Sequence, residues 1–167
     1  MAYQNRFNPV DLLISQLTPL ASQPGIDPLV LSSMAGIVAV EAVTSYELAI
    51  KDIFEDFSFR KHRVFGSFVK TTYGRLNGRI KYQEIKDNMV KSYGEKYFRR
   101  FVSKQEAKTR VVMMTEHVDL VQTYDTLVLG RHSFVHSGTL TMTLSEAVRY
   151  YQIGKHLIAV LDETMRR

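Results

Sequence analysis

Along almost the whole chain, apolar residues recur at steps of three and four, the period of a helix that buries one face. The longest such run, from 27 to about 58, carries Leu31, Met34, Val38, Tyr46, Ile50, Ile53 and Phe57. It opens on Asp27-Pro28, a capping residue followed by a proline suited to the first helical position. The β-branched Ile37, Val38, Val40 and Val43 lower its intrinsic helix propensity, so packing must hold it. Asn8-Pro9 gives the same start signal earlier. There Leu12, Leu13 and Leu17 form a short apolar face, Pro19 is expected to stop the helix, and 21–26 with Pro24-Gly25 reads as a loop.

After the long helix, 63–73 predicts a helix followed by a turn. Two more helices are expected at 82–93 (Ile85, Met89, Tyr93) and 95–108 (Tyr97, Phe98, Phe101), separated near Gly94. A further pattern spans 111–129, with Met114, Val118, Val121 and Leu129 inward, and runs into Gly130. Residues 139–142 form a short polar connection. Thr143-Leu144-Ser145-Glu146 is a capping box for a last helix to about Met165. Strand alternation is sustained nowhere. The expectation is an all-α, compact multi-helix bundle around one long central helix, in a single domain covering 1–167.

Composition adds three constraints. Apolar residues make up 45% and charged residues 23%, ordinary for a globular protein. Cysteine is absent, which excludes disulfides and cysteine chemistry and suits a reducing cytoplasm. Glu41 and Glu47 interrupt the apolar stretch 29–50, and the N-terminus lacks a charged-then-apolar signal, so neither a membrane span nor an export segment is expected.

Charge is uneven. Residues 60–110 hold 15 Lys+Arg against 4 Asp+Glu, a net of +11, whereas the rest holds 7 against 13, a net of −6. A basic middle in an otherwise acidic chain points to a polyanion, RNA or DNA first; a solvated helical face is the competing reading. Lys70 and Arg75 lie among Phe65, Phe68 and Tyr73, an interleaving that suits base stacking and phosphate contact, or equally a core with charged neighbours. Arg99-Arg100 is the leading RNA-backbone candidate of this segment, and an exterior helix pair fits it as well. Glu41 and Glu47 read either as carboxylates facing a site or as helix-surface charge.

The densest chemistry lies in Arg131-His132-Ser133-Phe134-Val135-His136, followed by Ser137-Gly138. A fixed cation beside imidazoles that titrate near neutrality suits phosphate chemistry. On an ideal helix Arg131 and His136 are offset by about 140°, which favours either a site built from two copies or a local break in the helix. His132 and His136 share a face at a spacing that two metal ligands could use. The glutamate of the metalloprotease pattern and a third ligand are both missing. His117, alone in the helix before the motif, reads as a structural rather than a catalytic residue, and His156 has no evident partner. Nucleophile-elbow, P-loop and dinucleotide signatures are absent.

An arginine, a polar residue, three further residues and a histidine, with a glycine soon after, resemble the signature of the HEPN superfamily. Ser45-Tyr46-Glu47-Leu48 and Ile50-Lys51-Asp52 resemble the second helix of its bacterial branch that includes the RiboL-PSP-like families. The resemblance covers most of the chain in helix order. It implies a homodimer whose motifs line a shared cleft, and a metal-independent endoribonuclease without a cofactor. Arg131 and His136 would then be catalytic and His132 supporting. It also implies a toxin or phage-defence role with a cognate inhibitor protein as partner. Some members keep the fold and act only as binding modules. The members silenced by nucleotidyl transfer carry a tyrosine two residues after the histidine; Gly138 stands there, so that modification is not expected.

Overall fold

The structure, a computed structural model, describes residues 2–166 except 75 and 77. A 3-10 turn (Ala2–Phe7) leads into α1 (Asn8–Ala21); α2 (Pro28–Lys61) and α3 (Arg63–Tyr73) follow. A π-helical segment (Glu84–Val90) and a 3-10 turn (Lys91–Tyr93) precede α4 (Glu95–Glu116), α5 (Leu120–Ser137) and α6 (Leu144–Met165). No strand occurs among the described residues, and the fold is all-α.

α2 is the axis. By length and composition it could cross a membrane, but here α3, α5, α6, α1 and the N-terminal turn all pack on it. Its small buried residues Ala35, Gly36, Ala39, Ala42 and Ala49 let these neighbours approach closely. At its middle, Tyr46 stacks between Tyr124 of α5 (5.4 Å between centroids) and Tyr151 of α6 (5.9 Å), all three fully buried. Each hydroxyl donates to a carbonyl, Tyr46 to Tyr151 at 2.5 Å, Tyr124 to Ile80 at 2.7 Å and Tyr151 to Phe7 at 3.2 Å. Buried phenols are tolerable only when so satisfied. Burial drives their pKa values upward. A Cβ on Gly154 would come within 2.3 Å of the Tyr46 hydroxyl, so the stack requires glycine there.

Asp27 caps α2 by accepting from the Leu29 amide at 2.7 Å, and Thr143 with Glu146 closes the capping box on α6. Several expectations are corrected. Asn8 does not cap α1: the cap position is Phe7, without a side-chain bond, because the 3-10 turn feeds straight into the helix. Pro19 lies inside α1, which continues to Ala21; it removes the hydrogen bond its amide would have donated to the Ser15 carbonyl, and the helix ends two residues later. Residues 84–90 are π-helical; buried Ile85 and Met89, four apart, fit either helix type. The break expected near 108–111 falls instead at His117, which is left-handed (φ +58°) between α4 and α5. Met114 (79% exposed) and Leu129 (47% exposed) do not point inward. The 139–142 connection is not merely polar: buried Met142 folds back over Gly130, where a Cβ would sit 2.5 Å from its methyl.

Candidate active site

α5 delivers the motif. Asp119 starts the helix by accepting from the Gln122 amide at 2.8 Å. Gly138, at φ +69°, ends it and donates to the Phe134 carbonyl at 2.9 Å. A side chain at that left-handed position would be strained. The helix is unbroken from Leu120 to Ser137, so the local break considered from sequence does not occur.

Phe134 fixes the motif against the axis. Its ring lies directly over Gly36 of α2, where a Cβ would fall 2.2 Å from the ring edge. With Tyr124 stacked on Tyr46, this shows that α5 runs antiparallel to α2. Arg131 lines a cavity of about 180 Å³ together with Val43, Gly78, Lys81, Val128, Leu129 and His132. Its Nε is buried without a hydrogen-bond partner. His132 lines the same cavity, and its ring lies 4.3 Å from that of exposed His136. On a helix the three fall at about 0°, 100° and 140°, so His132 bridges the arginine and the outer histidine. Ser137 back-bonds to the Ser133 carbonyl at 2.7 Å and meets Thr139, which makes it a helix-end residue.

Residues 78–82, a strap between the turn at Gly78 and the helical start at Tyr82, line the cavity through Gly78 and Lys81. Three tethers hold it. The Gly78 amide donates to Glu47 Oε2 at 2.7 Å, the Ile80 carbonyl accepts from Tyr124, and the Tyr82 amide donates to Asp125 Oδ1 at 2.9 Å. Burial raises the Asp125 pKa, against the Tyr82 bond and the positive Lys81. Glu47 also pairs with Lys51 at 2.7 Å. It is therefore neither a free surface charge nor a residue of the motif itself; it anchors the segment that closes over Arg131. Glu41 is exposed.

The other sequence candidates lie elsewhere. Arg100 stacks on Tyr97, which packs on Phe57, and donates to the Thr164 carbonyl at the end of α6. Phe57 lies 21 residues along α2 from Gly36, about 32 Å. Arg99 is exposed and pairs with Glu95 at 2.7 Å. Lys70 is exposed on α3 between Gly66, over Phe59, and Tyr73, against Phe54. That places it at least roughly 16 Å along α2 from Val43. Arg75 lies outside the described residues. Among the described residues, no group of three His, Asp or Glu side chains is placed to hold a metal ion.

A family model described as RiboL-PSP-HEPN matches residues 2–166. The chain belongs to the RiboL-PSP-HEPN family. No curated protein and no solved structure matches it. The HEPN superfamily often carries ribonuclease activity, which gives this HEPN chain a possible RNA-related role. Its Arg-polar-x3-His motif lies on α5, the helix pinned to the centre of the bundle. Sequence reasoning missed Lys81 and the strap. The only local sign was Gly78, because the tethers come from residues 31 to 44 positions away.

Proposed function

We propose that this HEPN chain is a metal-independent endoribonuclease acting as a homodimer. One arrangement carries the reading. A single unbroken helix holds an arginine whose buried Nε lacks a partner, next to two imidazoles 4.3 Å apart at the surface. RNA brings its own nucleophile. The 2′-oxygen attacks the adjacent phosphorus as its proton passes to one imidazole. The bond from phosphorus to the 5′-oxygen breaks, and that oxygen takes a proton from a second imidazole. His136 is the exposed acid or base, and His132 assists. Arg131 binds the nonbridging oxygens as negative charge builds on them. The products are a 2′,3′-cyclic phosphate and a 5′-hydroxyl, and DNA is inert because it lacks the nucleophile.

The homodimer follows from the offset between Arg131 and His136 and from the surface around them. Leu129 (47% exposed) and Val135 (50% exposed) flank the histidines on α5, and Ile37 is exposed beside the Phe134 seat. An apolar rim around polar catalytic groups suits a second copy. We place the protein in the cytoplasm, as a toxin or phage-defence effector held in check by an inhibitor protein; this rests on analogy within the superfamily.

The test is cleavage of a mixed RNA pool in EDTA by wild type, His136→Ala and Arg131→Ala, with analysis of product ends. Cyclic-phosphate ends, with at least a hundredfold loss in both folded variants, are expected. RNA binding without cleavage by wild type would instead make the chain a noncatalytic binding module.

A further inference from the structure

The cavity beside Arg131 is lined by positive charge. Its lining contains Arg131, Lys81 and His132 and no carboxylate. The nearby acids are engaged: Glu47 by Lys51 and the Gly78 amide, Asp125 by the Tyr82 amide. Neither Lys81 nor Arg131 forms an ion pair among the described residues. A buried guanidinium nitrogen without an acceptor is costly, and each such group calls for an explanation. An anionic oxygen entering the cavity would give the guanidinium an acceptor.

The strap explains why Lys81 is there. Gly78, Ile80 and Tyr82 are the tethered positions, and Ile80 is fully buried. Arg79 and Lys81 are both exposed, and Lys81 lines the cavity. The tethers on either side of Lys81 hold its backbone at the cavity, and its charge, near enough to Asp125 to lower that carboxyl's pKa, forms no ion pair among the described residues. The volume, about 180 Å³, equals that of roughly six waters, enough for a phosphate group. Val43, Val128 and Leu129 supply its apolar wall.

We propose that Lys81 is a second phosphate-binding residue of this site, and that with Arg131 it clamps one RNA phosphate in the cavity under the strap. The clamp rests on the nuclease reading for its substrate, while the anion pocket stands on the geometry alone. Arg131 supplies a planar donor fork and Lys81 a point charge from the strap. His132 lies on the same cavity, so the phosphate held there is presented to the imidazole pair.

The experiment separates the two claims. Nitrogen-15 NMR follows the Arg131 Nε–H signal while inorganic phosphate, and then a single-stranded deoxyoligonucleotide that cannot be cleaved, is titrated into the full chain. Wild type, Lys81→Gln, Lys81→Arg and Lys86→Gln are compared. Lys86 is a nearby cation already over the Tyr82 ring and close to Asp87. Phosphate is expected to shift the Nε–H signal in wild type, Lys81→Arg and Lys86→Gln. In Lys81→Gln the affinity should fall at least fivefold. The slope of log affinity for the oligonucleotide against log salt should also become shallower by about 0.7, one phosphate contact. Unchanged affinity and slope in Lys81→Gln, or a wild-type Nε–H signal that phosphate never moves, overturns the clamp. If phosphate behaves as expected but wild type does not cleave RNA, the pocket stands and the nuclease reading falls.

Discussion

Gly36 shows how much of the site depends on an atom that is missing. The Phe134 ring fills the space a Cβ would take, so the motif helix sits closer to the axis than any other residue would permit. Gly36→Ala should cost about 1–3 kcal/mol by overpacking, read as a lower urea midpoint. It should reduce RNA cleavage more than stability alone explains, because Arg131 and His132 ride on the displaced helix. Adding Phe134→Leu should restore much of the stability. If Gly36→Ala leaves both stability and activity intact, the ring is not seated as described. From sequence, Gly36 is simply a glycine in a helical run, the least favourable of ordinary residues there. Its reason is a side chain 98 positions later, which no local pattern encodes.

At the level of elements, local chemistry was legible and long-range chemistry was not. Asp27-Pro28 and the Thr143–Glu146 box mark their helix starts because a cap bonds within its own first turn. The 63–73 helix also stands where its pattern puts it, ending before Gly74. The failures have physical causes. An i,i+4 pair of apolar residues does not separate a π-helix from an α-helix, and the exposed Val111, Met113 and Met114 kept the pattern running past its apparent end. The basic segment is spread over α3, the strap and α4, with Arg60 and Arg100 donating to the last carbonyls of α6, the end of a helix that favours cations. Thr143→Ala should destabilise the protein by about 1 kcal/mol in chemical denaturation. The cap also carries a pH signature. The Thr143 amide and hydroxyl hold the Glu146 pKa below its ordinary value. A carboxylate depressed in the folded state contributes stability that is complete above its unfolded pKa and lost as pH falls through the folded one. Thr143→Ala should therefore be less costly in acid than at pH 7, and a constant penalty across that range would contradict the role of Glu146.

For the whole molecule, symmetry provides a test that single variants cannot. If the working site takes Arg131 from one copy and His136 from the other, each inactive variant lacks a different half. Mixing Arg131→Ala with His136→Ala and allowing subunits to exchange makes half the dimers mixed, each with one complete site. About a quarter of wild-type activity should return. No recovery in a sample shown by sedimentation to contain dimers would place both residues in one copy. Val135→Glu should weaken association and cleavage together, since this exposed apolar residue lies beside the histidines on α5.

The tyrosine stack gives this protein a built-in optical probe. The chain contains no tryptophan, so emission and near-ultraviolet ellipticity come from phenols undisturbed by a stronger chromophore. Tyr46, Tyr124 and Tyr151 are rigid, stacked and drawn from three helices, the condition under which aromatic rings give intense asymmetric signals. One of them, Tyr124, is bonded through its hydroxyl to the strap over Arg131. A ligand that tightens the strap should therefore change the colour of the core without any dye attached.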